Sequence, residues 1–162
     1  FVPEYYWYKG IKDRYILGDV IDPSQPTMMN PPDGGIDDPQ AKIWPFKVHY
    51  AQQPYDVVNS YLVQPKTVGE GGFWTDFDWD QAFTLNEPNS GLEYSGEYGF
   101  TATDMYWPQT HMVQPKENAL QCTDCHSENG RMDWEALGYY GDPIRWGGRS
   151  QIIGLAESTE TK

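Results

Sequence analysis

The sequence predicts a mostly irregular, loop-rich chain with short α-helices and a few short strands, and three observations predict it. Gly (16) and Pro (13) interrupt the 162 residues too often for long regular elements. Aromatic residues are abundant, with 7 Trp, 12 Tyr and 6 Phe, while aliphatic side chains are few. The aromatics are therefore expected to pack around something other than aliphatic side chains. No apolar run approaches the roughly 18 residues that a membrane span requires. With no internal repeat, the expectation is a single unit over residues 1–150 and a polar, frayed tail over 151–162.

Each element has a local reason. "YYWYKG" and "RYILGDVID" within residues 1–22 read as short strand-like runs. "PSQPTMMNPPDGGIDDPQAK" is a Pro/Gly/Asp loop. "IWPFKVHYAQQPYD" is an extended aromatic segment carrying His49, and "VVNSYLVQPK" has the β-branched and aromatic enrichment of the best strand candidate. A helix is predicted from about Asp78 to Leu85, with Asp76 or Asp78 as N-cap. Trp79, Ala82 and Phe83 then share one face. "GLEYSGEYGFTATDMYWP" reads as a glycine-punctuated loop. Pro115 is placed to open a helix that continues through "ENALQC", and "MDWEALGYYGDP" predicts a short last helix stopped by Gly138, Gly141 and Pro143.

A net charge of −13 argues against nucleic acid, whose phosphates require a basic surface. It favours solubility, with steering toward cationic partners as the functional alternative. The opening "FVPEYYWYKG" lacks an initiator Met, a basic segment and an apolar segment. The expectation is a removed leader or a piece of a longer protein. "GGIDDP" and "TDFDWD" lack the spacing of a calcium loop, so their carboxylates read as caps and solvated loops.

The cysteines concentrate the chemistry. Only Cys122 and Cys125 are present, so intrachain four-sulfur zinc or iron–sulfur sites are excluded. A disulfide between them would staple little. Cys122-Thr123-Asp124-Cys125-His126 fits C-x-x-C-H, the attachment signature of a c-type haem. Two thiols three residues apart on a helical turn can each add to one vinyl group, and the next imidazole can swing beneath the ring to reach iron. A thioredoxin-like redox pair would want a βαβ context and a helix N-terminus, whereas these cysteines fall late in the predicted helix.

His126 is therefore the expected proximal ligand. For the distal position the candidates are His111, His49 and the methionines Met105, Met112 and Met132. His111 is favoured: Pro108 and Pro115 stiffen its loop, and it lies fifteen positions before His126. At about 3.3 Å per residue that distance wraps a haem edge. His49 either joins a haem or is hydrogen-bonded inside an aromatic core. A methionine ligand would raise the potential. Tyr106, Trp107, Trp134, Tyr139 and Tyr140 are expected to line the porphyrin.

The run "SGEYGFTATDMYWPQTHMVQPKENALQCTDCHSENGRMDWEALGYYGDP", with "KIWPFKVHYAQQPYD" and "GGFWTDFDWDQAF", resembles the C-terminal part of the octahaem tetrathionate reductase family of multihaem cytochromes c. The resemblance runs in order through most of the chain. It implies a multihaem cytochrome c-like segment organised around covalent haem. Members are exported, hold closely spaced haems mostly with two histidine ligands, and reduce sulfur or nitrogen oxyanions at a lysine-ligated haem. It also implies that His126 serves the last haem and that His49 and His111 match histidines serving haems bound elsewhere. The family carries eight motifs and this chain one, so the reductase activity does not transfer to the chain alone.

The expected function is electron transfer through one covalently attached haem c, low-spin and bis-histidine, as a relay in a multihaem assembly. The alternatives are a subunit or fragment of an octahaem oxyanion reductase and a structural haem subunit of a polymeric conducting assembly. Whether the chain is an enzyme is left open; no catalytic triad or paired-acid constellation stands out. Expected partners are other multihaem cytochrome chains or redox proteins in a homo- or hetero-oligomer, with one spare histidine capping a second haem in a partner. The expected compartment is periplasmic or extracellular.

Overall fold

The computed structural model describes residues 2–111 and 113–148, so the expected tail at 151–162 lies outside the described residues. The described chain is loop-rich, as expected, with one- and two-turn helices. In order it runs β1 (Glu4–Tyr8), β2 (Thr27–Met28), β3 (Lys42–Asp56), β4 (Tyr61–Leu62), α1 (Phe73–Asp76), α2 (Trp79–Thr84), α3 (Glu87–Ser90) and β5 (Tyr98–Pro108). A 3₁₀ turn (Lys116–Asn118), α4 (Cys122–Cys125) and α5 (Pro143–Trp146) follow. The hydrogen-bonded strand order is β1-β3-β5-β2, with β4 on β3. Within the span 1–150, contacts gather into two compact units.

Among the described residues, the first unit comprises those up to Asp13, Pro31–Val48 and those from Tyr106 onward. Here β1 pairs antiparallel with the start of β3, in the register Glu4↔Phe46 to Tyr8↔Lys42. Strand alternation turns Phe46 and Val48 inward, where they meet Tyr106, Tyr6 and Tyr8. Tyr6 and Tyr8 approach Phe46 edge-on, the arrangement that opposes ring edge to ring face. On the other side Trp7, Ala41 and Leu137 form a second buried cluster joined by Ile36, Met132, Trp134 and Tyr139. The Trp7 indole donates to the Leu137 carbonyl at 2.8 Å, which ties the segment after α4 back onto β1.

The second unit comprises Arg14–Asn30 and His49–Met105. Its centre is a run of rings: Phe73 stacks on Trp79 at 3.7 Å, Trp79 on Phe83 at 5.5 Å, and Phe83 meets Tyr98 at 5.4 Å. The expected α2 is present. Asp78 is its N-cap, accepting from the Gln81 amide at 3.0 Å, and Ala82 and Phe83 are buried. Aromatics thus pack on one another in both units.

Several local expectations are corrected. "VVNSYLVQPK" contributes only Tyr61–Leu62 as strand, because the Asp56 carboxylate accepts from Val58 and Asn59 amides and bends the chain. "RYILGDVID" is turn and coil, held by Asp19 accepting from Ile16 at 2.9 Å. The segment read as a glycine loop contains the 11-residue β5, whose alternation buries Thr101 and Thr103 and which also buries Tyr106. The helix expected from Pro115 through Cys122 breaks into a 3₁₀ turn, an extended Ala119 and a separate α4. "MDWEALGYYGDP" forms turns in place of a helix, ending at Gly138 with φ 86°. The helix follows it, as α5.

Candidate functional site

Cys122 and Cys125 are the first and last residues of α4, a single helical turn. Both thiols are free, Cys122 exposed and Cys125 half-buried. Residues three apart on such a turn project to the same side. The turn is fixed at both ends. The Gln121 amide donates to the Asp124 carboxylate at 2.7 Å, and the His126 amide closes onto the Cys122 carbonyl at 2.8 Å. Downstream, the Arg131 amide donates to the Asp124 carbonyl at 2.8 Å. This return is tight: a Cβ on Gly130 would sit 2.5 Å from the Cys125 carbonyl oxygen.

The cysteines therefore open a helix, where they were expected late in one. That removes one argument against a redox pair, but the βαβ context of such a pair is still missing: α4 lies between a 3₁₀ turn and irregular chain.

His126 follows as the residue that leaves the helix. Its Nδ1 lies 2.8 Å from Asp142 Oδ1. The same oxygen accepts from the Ile144 amide at 3.0 Å, making Asp142 the N-cap of α5 with Pro143 behind it. The His126 ring beside Asp142 holds that carboxyl below the usual carboxylate range, with the Ile144 amide adding to it. An ionised carboxylate only accepts. Nδ1 therefore carries the hydrogen, and the lone pair of Nε2 is left available for a metal. On the ring's face, Trp134 stacks at 5.0 Å and 18°, and Tyr139 abuts Trp134 edge-on at 5.5 Å.

These residues fit a covalently held haem. Two unpaired thiols stand on one turn, and the next imidazole has one nitrogen engaged and the other free. Beside it the Trp134 indole nitrogen is buried with no hydrogen-bond partner, a donor that a carboxylate-bearing group would satisfy.

The other expected residues are distributed more widely. His111 is exposed, three positions past the end of β5. Among the described residues no hydrogen bond or ring contact joins it to His126. His49 is exposed on β3, which sets aside the alternative of a histidine enclosed in an aromatic core. Met132 is engaged in the Trp7 cluster, Met105 lies within β5, and Met112 falls outside the described residues. Of the aromatics expected along the porphyrin, Trp134 and Tyr139 stand at His126. Tyr106 belongs to the Phe46 core, and Tyr140 packs on Trp146.

In "GGIDDP" and "TDFDWD" three carboxylates have protein partners of their own: Asp38 pairs with Lys9 at 3.2 Å, Asp76 accepts from Gln81, and Asp78 caps α2. Asp142 is the residue that reading the sequence missed. Asp-Pro after a glycine signals a helix start, but no local pattern reveals a partner sixteen positions upstream.

No curated protein sequence matches the chain. The crystal structure of octaheme cytochrome c from Shewanella oneidensis matches with a TM-score of 0.83 and 47% identity, over 88% of this chain and 34% of that one. The chain spans about a third of the length of that relative. The family described as "Cytochrome c bacterial" matches residues 1–129, a stretch that includes the whole Cys122–His126 turn. The chain therefore belongs to the bacterial cytochrome c family, whose members transfer electrons through covalently bound haem.

Proposed function

We propose that this chain holds one haem c through thioethers from Cys122 and Cys125, with His126 as proximal ligand and His111 as distal ligand, and relays electrons within a multihaem assembly. The observation that carries the reading is the α4 turn: two free thiols on one side, followed by an imidazole whose Nδ1 is already engaged by Asp142. When bound, the haem supplies a one-electron iron couple. The chain's own residues do the rest. The thiols would anchor the haem, and His126 and His111 would hold its iron, which would then offer no place for a substrate. His49, exposed on β3, would serve a haem of this chain or of a partner. The likeness to a protein about three times longer supports assembly with further haem-bearing segments. The finer kinship with tetrathionate reductases, and export to the periplasm or cell exterior, belong to the same reading.

Intact mass and EPR of the purified chain test it. One covalent haem per chain is expected, with a low-spin spectrum that added cyanide or nitrite leaves unchanged. Replacing His111 (His111→Ala) opens the iron, so a high-spin fraction that binds cyanide should form. A colourless chain removes the haem reading. A His111→Ala variant that stays low-spin and inert to cyanide removes His111 as distal ligand.

A further inference from the structure

We infer that Asp142 is a positioning residue for the haem iron. Its carboxylate holds the Nδ1–H of His126, turns Nε2 toward the metal, and lowers the potential of the couple by making the imidazole a stronger donor. The inference rests on the α4 haem reading and extends it to a residue outside the attachment motif.

Three observations carry it. The Nδ1–Oδ1 separation is 2.8 Å, the length of a charge-assisted hydrogen bond. The carboxylate is itself fixed, because Oδ1 also caps α5 through the Ile144 amide at 3.0 Å. The imidazole is held at a second point, its face against Trp134 at 5.0 Å. A ligand ring gripped at its edge by an anion and at its face by an indole keeps one tautomer and one plane. A carboxylate behind a ligating histidine raises ligand basicity, and a more basic ligand favours the more highly charged oxidised iron.

The haem-loaded chain and three variants are compared by spectroelectrochemical titration. Asp142→Ser retains a helix cap but is too short to reach the ring. Held at the wild-type midpoint, its ratio of reduced to oxidised haem should rise about tenfold, which for one electron is about 59 mV. Asp142→Asn keeps an acceptor oxygen without the charge, and should move the ratio the same way by about threefold. Pro143→Gly loosens α5 without touching His126 and should leave the ratio unchanged.

An Asp142→Ser chain with haem attached and an unmoved ratio overturns the inference. So does a Pro143→Gly shift as large as that of Asp142→Ser, because the role is then only docking of α5. If Asp142→Ser fails to retain haem, Asp142→Asn decides by the same criterion. Absence of covalent haem in the wild-type chain, read by pyridine haemochrome, would instead overturn the proposed function.

Discussion

Asp56 is a carboxylate with 0% exposure, and its retention in the second unit rests on hydrogen bonds. It accepts from the amides of Val58 at 2.9 Å, Asn59 at 2.7 Å and Ser95 at 2.7 Å, and from the Ser95 hydroxyl at 2.9 Å. Burial pushes its acid constant up; the bonds from Ser95, Asn59 and Val58 outweigh that and bring it below the ordinary value of 3.8. Asp56→Ala strands several buried donors, so a loss of about 3 kcal/mol is expected in urea unfolding. The pH dependence follows from the direction of the shift. A carboxyl that is more acidic in the folded chain stabilises it above the unfolded value, and that contribution disappears as pH falls through the folded value. Wild-type stability should therefore drop below about pH 4, with a smaller drop in Asp56→Ala, as measured by denaturant midpoints across pH.

At the scale of the element, α4 is too short to hold itself together. A four-residue helix makes almost no internal ladder, so its geometry comes from the Asp124 carboxylate at its start and the Gly130–Arg131 return at its end. Gly130 is the position where this closeness is most demanding, with the Cys125 carbonyl 2.5 Å from any added Cβ. The obstacle is backbone, which a rotamer change cannot clear. Gly130→Ala should displace the Cys125–His126 peptide and cost about 1–3 kcal/mol. Covalent haem per chain should fall with it, as measured by pyridine haemochrome against protein mass. The α2 helix is the opposite case: Asp78 caps it, and Ala82 and Phe83 bury its inner face. Its residues announced it because cap and periodicity are local properties.

Across the whole molecule, charge governs encounter. With 24 acidic against 11 basic side chains, the chain attracts cations and repels anions at a distance. Reduction by a small cationic reagent should outpace reduction by an anionic one of similar potential at low salt. The difference should shrink toward parity near 1 M salt, where screening acts over about 3 Å; stopped-flow rates across ionic strength would check this. Equal rates at low salt would place the reacting haem edge away from the acidic surface. Among the described residues no helix is long and apolar enough to cross a membrane.

What the residues determined by themselves was whatever depends on near neighbours. The loop-rich class follows from Gly and Pro, the extended aromatic run became β3, and Asp78 capped α2. The C-x-x-C-H spacing pointed to the cytochrome c class, the family that the comparison shows. Tertiary structure decided what depends on partners far along the chain. It turned "VVNSYLVQPK" into a bend around Asp56 and revealed β5 inside a supposed loop. It also set Asp142 and Trp134 around His126. The physical reason is the same throughout: a hydrogen bond or ring stack between distant residues has no period or spacing in the sequence, so it exists only once the chain has folded back on itself.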